Sequence, residues 1–222
     1  MAYQFNFSAI SEYSDVLVSG IAETLLLTFI GSVFGLVLGV VGGVSRAWSI
    51  RPLKSIFTVY VEIIRNTPFL VQLFFIFFGL PALGVQLSDW QASILAMVVN
   101  LGAYLTEIIR AGIEATPRGQ IEAAESLAMT KFQIFWHVVL PPSLLKVWPS
   151  ICSQIIIVML GSSVCSQIGT EELTYAANFI QSRNFRAFET YFIVAGIYFI
   201  LALFMRRIMI YLGGRFLGGQ KR

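Results

Sequence analysis

Charge is what this sequence has least of. Only 12% of its 222 residues are Asp, Glu, Lys or Arg, 57% are hydrophobic, and mean hydropathy is +0.78. Soluble domains carry roughly 25% charged and 45–50% apolar residues, so composition excludes one and indicates an integral membrane protein. Histidine is nearly absent. His137 has no Cys or His at ligand spacing nearby, which argues against metal chemistry. The two cysteines, Cys152 and Cys165, lie in one apolar segment, about 20 Å apart on a helix. That is too far for a disulfide, and they read as packing residues. Serines stand near Cys165, but no base lies within a turn of them, so they read as helix contacts rather than a hydrolase. A phosphate loop is missing too. The tail GGRFLGGQKR places Gln220 after Gly219 where lysine is required, and no strand precedes it. Net charge is +3, but basic residues of membrane proteins sort by side, so no nucleic-acid site is read from it. No basic residue precedes Arg46, so the first span is expected to direct insertion without a signal peptide.

What is present is a series of apolar runs near the ~20 residues a membrane span needs. Five spans are predicted, at about 21–44, 56–80, 90–113, 147–168 and 191–211, in a single membrane domain covering 1–222. In the first, Gly31, Gly35 and Gly39 line one face, which lets another helix approach closely. Arg46, Arg51 and Lys54 are read as the first loop, and 169–188 as a polar loop. Arg46, Arg51, Lys54, Arg118, Lys131, Lys146 and the tail residues Arg206, Arg207, Arg215, Lys221 and Arg222 share one side, against Arg183 and Arg186 on the other. The positive-inside rule then puts the C-terminus in the cytoplasm and the N-terminus outside.

The longest interval that does not read as a span is 117–142, PRGQIEAAESLAMTKFQIFWHVVLPP. Ile121, Ala124, Leu127 and Ala128 fall on one helical face, and Pro117 suits the helix start. Thr130 followed by Gln133 is a capping-box pattern opening a second helix, with Phe132, Phe135, Trp136 and Val139 as its apolar stripe. Pro141 and Pro142 are expected to end it, because proline lacks a donor and disfavours helix before it. A cytoplasmic helix-turn-helix between spans is predicted.

Charges inside spans are costly and by default mark function. Glu62 with Arg65, and Glu107 with Arg110, have i,i+3 spacing that permits self-pairing on one face. Pro68 removes a hydrogen bond to the Ile64 carbonyl and should break the second span. Irregular backbone at that depth is tolerated where protein or a water-filled cavity satisfies it. Arg65, Thr67, Gln72, Asn100 and Glu107 beside that Pro68 break are therefore candidates for lining a polar pathway. A passive channel, an ion-coupled carrier and a scaffold compete with an ATP-driven pathway on these residues alone.

The stretch Glu122 to Pro141, EAAESLAMTKFQIFWHVVLP, resembles the EAA loop by which permease subunits of bacterial ABC importers dock onto their ATPase. RNTPFLVQLFFIFFGLP from Arg65 and AYLTEIIRAGIEATPRGQIEAA from Ala103 narrow the likeness to the polar amino acid (HisM-like) permeases. The resemblance covers most of the chain. It implies an all-α, MetI-like fold of five transmembrane helices with a cytoplasmic coupling helix-turn-helix, in a bacterial plasma membrane. It also implies an ABC ATPase dimer that binds ATP and Mg, a second permease subunit, an external or periplasmic solute-binding protein and an amino acid substrate, with no cofactor or catalysis in this chain. On this likeness Glu122, Ala123 and Ala124 shape the docking surface, Leu127, Ala128 and Met129 stand beside it, and Leu140 and Pro141 set the return to the membrane. The family usually has glycine where this chain has Ala128, a methyl expected to keep helix propensity.

Overall fold

Long apolar runs whose backbone groups must be satisfied internally fold as helices, and in the computed structural model the regular elements among the described residues are all helical. It describes residues 5–216 and 218, and no strand occurs among them. A short helix α1 (Ser8–Ser11) precedes the long α2 (Ser14–Ala47) and then α3 (Leu53–Arg65). α4 (Phe69–Phe74) passes into a π-turn and a 3₁₀ turn, and α5 is Asp89–Glu114. α6 (Arg118–Ser126) and α7 (Lys131–Ile134) follow, with a π-turn at Phe135–Val139 leading into α8 (Leu140–Gly161). After a 3₁₀ segment come α9 (Leu173–Asn184) and α10 (Ala187–Phe216). Among the described residues four helices are long and apolar enough to cross a membrane, and α3 with the helical turns that follow Pro68 makes a fifth if the broken pair counts as one span.

The described chain groups into two compact units. One comprises Met1–Gly31, Pro68–Met97 and Ile156–Met205. Its apolar core joins Met159, Leu173, Ala177, Val194 and Leu201, with Leu17, Ile21 and Leu25 packed on them. The other comprises Ser32–Thr67, Val98–Ile155 and Arg206–Arg222. The predicted glycine stripe packs against α5 as its spacing implies. In the first unit a Cβ at Gly31 would stand 3.2 Å from that of Met97. In the second, Cβ atoms at Gly35 and Gly39 would meet Leu101 at 3.0 Å and Leu105 at 2.4 Å. Contact at Gly39 is closer than any side chain permits, so α2 and α5 lie together only because that residue has none.

Several boundaries differ from those read in the sequence. Arg46 is in the last turn of α2 and Lys54 is in α3, so only residues between them form a connection. The stretch read as a polar loop, 169–188, contains α9, whose first turn is capped by Glu172 accepting from the Tyr175 N–H at 2.9 Å. Pro141 and Pro142 do not stop the second helix of the 117–142 stretch. The helix runs on from α7 through the π-turn into α8 at Leu140, and both prolines are carried within it. The wider π-turn before them, closed by Leu140 N–H to the Phe135 carbonyl, makes the join. Pro68 acts as expected, with extended backbone at ψ 140° between α3 and α4. The carbonyls at the end of α3 find local donors: the Asn66 amide reaches the Glu62 carbonyl at 2.7 Å and the Thr67 hydroxyl the Ile63 carbonyl at 2.9 Å. The tail residues Gly219, Gln220, Lys221 and Arg222 lie outside the described residues.

Candidate functional site

Both groups of sequence-predicted site residues have most of their members in the second unit. At the turn of 117–142, α6 ends in a Schellman arrangement: Met129 N–H donates to the Ala124 carbonyl at 3.2 Å and Ala128 N–H to that of Glu125 at 2.9 Å. This requires a left-handed residue, and Ala128 has φ +55°. The position is a helix stop, so helix propensity does not apply to it. A β-carbon there costs about 1 kcal/mol, which is the physical reason for glycine at this place. The capping box predicted for the next helix is formed, with the Thr130 hydroxyl accepting from Gln133 N–H at 3.3 Å and Gln133 Oε1 accepting from Thr130 N–H at 2.8 Å.

These two devices hold a surface open. Ala124, Ile134 and Val139 are buried and anchor the pair, Ile121 and Met129 are half-buried, and Glu122, Ala123 and Ala128 are exposed. Leu127, read on the same face as Ala124, is 77% exposed where Ala124 is buried, and Phe132 is 70% exposed. Leu127 stands outward because α6 ends at Ser126, before its stripe is complete. Phe135 seats against Trp48 with ring centroids 5.0 Å apart, and Trp136 contacts Phe132 at 5.9 Å. A cleft of about 230 Å³ lies between Trp48, Ile121, Glu125 and Lys131. The connection to α5 is tied by Ser143, whose hydroxyl donates to the Gly112 carbonyl at 3.0 Å.

The second group centres on Glu107 of α5. Its carboxylate meets three guanidiniums from three helices: Arg46 of α2, Arg65 of α3 and Arg110 one turn along its own helix. Arg110 donates to it twice, at 3.3 and 3.0 Å, and also pairs with Glu114 at 2.6 Å. Arg65 stands 3.8 Å away and lies over the Tyr104 ring, 5.4 Å from its centroid. Self-pairing within a helix therefore holds for Glu107 and Arg110. It does not hold for Glu62, whose carboxylate takes the Asn66 amide at 3.2 Å while Arg65 turns to α5. Arg46 was missed as a partner because 61 residues separate it from Glu107. Its only sequence signal was a cation at the end of an apolar run. Asn100 is half-buried and Thr67 exposed in the same unit. Pro68 and Gln72 belong to the other unit, where Gln72 is buried on α4. Among the described residues no three His, Cys, Asp or Glu side chains gather as a metal site.

Comparison with known proteins gives concordant results. Residues 31–217 match the family described as binding-protein-dependent transport system inner membrane component. An L-cystine transport system permease protein of Bacillus subtilis is 37% identical over 86% of this chain and 82% of its own length. A glutamine transport system permease protein of Escherichia coli is 32% identical over 93% and 95%. A crystal structure of an amino acid ABC transporter with histidines superposes with TM-score 0.88 at 36% identity, covering 96% of this chain and all of that one. The MetNI methionine transporter in an inward-facing form shares the fold, with TM-score 0.72 at 24% identity over 93% and 97%.

Proposed function

The chain belongs to the family of binding-protein-dependent transport system inner membrane components, and from that membership we propose that its exposed 117–142 turn is the surface on which a cytoplasmic ATPase acts. The protein is the multi-pass, non-catalytic permease subunit of a bacterial ABC importer for polar amino acids. It carries no cofactor, ATP being bound by a partner ATPase, and a binding protein delivers the substrate. The observation that supports the coupling role is the open surface at the turn. Glu122, Ala123, Leu127 and Ala128 are exposed beside a buried Ala124, with Met129 half-buried. A Schellman end and a capping box fix its backbone, as a docking element requires.

A second permease subunit, identical or related, completes the pathway, and the ATPase works as a dimer. Arg65, Thr67, Asn100 and Glu107 line that pathway near the break that Pro68 makes. The basic residues set the 117–142 element and the C-terminus in the cytoplasm and the N-terminus outside. A polar amino acid such as glutamine or cystine, named for the two relatives, is the substrate class this reading favours. Glu122→Lys should leave the protein in the membrane yet unable to retain its ATPase. Undiminished ATPase co-purification with that variant would remove the docking role, and labelling of a cysteine placed at Glu122 from outside intact cells would reverse the orientation.

A further inference from the structure

Of the three arginines around Glu107, Arg65 is held least. Arg46 pairs directly and Arg110 donates two hydrogen bonds, whereas Arg65 remains at 3.8 Å, beyond hydrogen-bonding distance. It is also the most open of the three, with 42% of its side chain exposed against 13% for Arg46 and 30% for Arg110. As the last residue of α3 it sits just before the non-helical backbone at Pro68. Tyr104 supports its guanidinium on one side. That leaves the planar fork of N–H donors, whose geometry matches a carboxylate. Glu62, the carboxylate three residues before Arg65, is turned to the Asn66 amide and does not occupy the guanidinium.

We infer that Arg65 takes the α-carboxylate of the transported amino acid, exchanging its long contact with Glu107 for the ligand. Glu107 is the internal stand-in for that carboxylate. Giving up Arg65 leaves it held by Arg46 and Arg110, so the exchange exposes no bare charge and forms no covalent bond. This rests on the permease reading and adds which group of the substrate is recognised and by which residue. A polar side chain of any kind is then compatible with the site, while loss of the carboxylate is not.

The test uses the intact permease–ATPase complex in lipid nanodiscs with radiolabelled L-glutamine, L-cystine and L-histidine as probes. The α-carboxamide of a bound probe should compete roughly 30-fold more weakly than the amino acid itself. Arg65→Gln should weaken the amino acid by a similar factor and abolish that preference, and Arg65→Lys should fall between. The preference ratio is internal to each variant, so a general loss of folding does not imitate it, and Arg65→Lys serves if Arg65→Gln fails to assemble. Equal competition by the carboxamide in the wild type, an unchanged preference in either variant, or no probe binding despite intact ATP-driven uptake would overturn the inference and leave the permease reading standing. ATP-driven uptake that survives deletion of the chain would overturn the permease reading itself.

Discussion

Glu107 and Glu172 are carboxylates inside a chain that carries little charge, each in a different unit, and they are accommodated in opposite ways. Glu107 is met by guanidiniums from three helices. Glu172, fully buried at the start of α9, is met by the Tyr175 N–H and the Tyr198 hydroxyl, and among the described residues no Lys or Arg pairs with it. Its surroundings are themselves fastened, with Leu173 N–H donating to the Thr24 hydroxyl at 3.1 Å. Burial pushes the Glu172 carboxyl above the usual carboxylate range, although its hydrogen bonds from Tyr198, Thr174 and Tyr175 pull the other way. A cage of uncharged donors, one from the first turn of α9 and one from Tyr198 of α10, fixes a helix start in place. A cluster of cations around one anion joins three helices and holds one of its members, Arg65, only at 3.8 Å.

That contrast can be broken most directly at Glu107. Glu107→Gln removes the shared anion of Arg46, Arg65 and Arg110, of which Arg110 keeps Glu114, and should destabilise the protein by about 3 kcal/mol, read as a lowered midpoint in thermal unfolding of the purified complex. Glu172→Gln keeps the shape and one acceptor and should cost about 1 kcal/mol; a larger loss there than at Glu107 would invert the comparison. The two sites should also differ in pH response. Because the folded value of Glu172 lies above its unfolded one, the folded state holds that proton longer. Its contribution is complete below the unfolded range and is lost as pH rises through the raised value. Unfolding midpoints of Glu172→Gln should therefore decline less between acid and neutral pH than those of the wild type. The smallest effect lies away from both carboxylates and separates backbone from charge. Ala128→Gly removes the left-handed β-carbon and should stabilise by about 1 kcal/mol or less, with no change in pH slope.

The parts of this structure that were legible in the sequence are those set by near neighbours. The capping box at Thr130 and Gln133, the break at Pro68, and the small-residue face at Gly31, Gly35 and Gly39 follow from sterics or hydrogen bonds within a few residues. Pro141 and Pro142 were misread because a proline need not stop a helix: the π-turn before them carries the backbone into α8, which also holds Pro149 in its interior. α9 was missed because its polar composition hides a buried side carried by Leu173, Ala176, Ala177 and Ile180. Ala128 was judged by the wrong rule, since helix propensity says nothing about a residue that terminates a helix. At the candidate site, Arg110 as a partner of Glu107 was visible from i,i+3 spacing. Arg46 and Arg65 come from other helices, and pairings of that kind depend on how helices assemble.

The join at Phe135–Val139 has a mechanical consequence. Within the second unit helical structure runs from Lys131 through the π-turn to Ile155, on the order of 40 Å at the helical rise, and no break stands at the paired prolines. Pro149 lies inside the same helix, where a backbone hydrogen bond is lost and bending is easiest. The aromatic contact with Trp48 and the start of α8 therefore belong to one rod, and the prolines that looked like a stop lie along it.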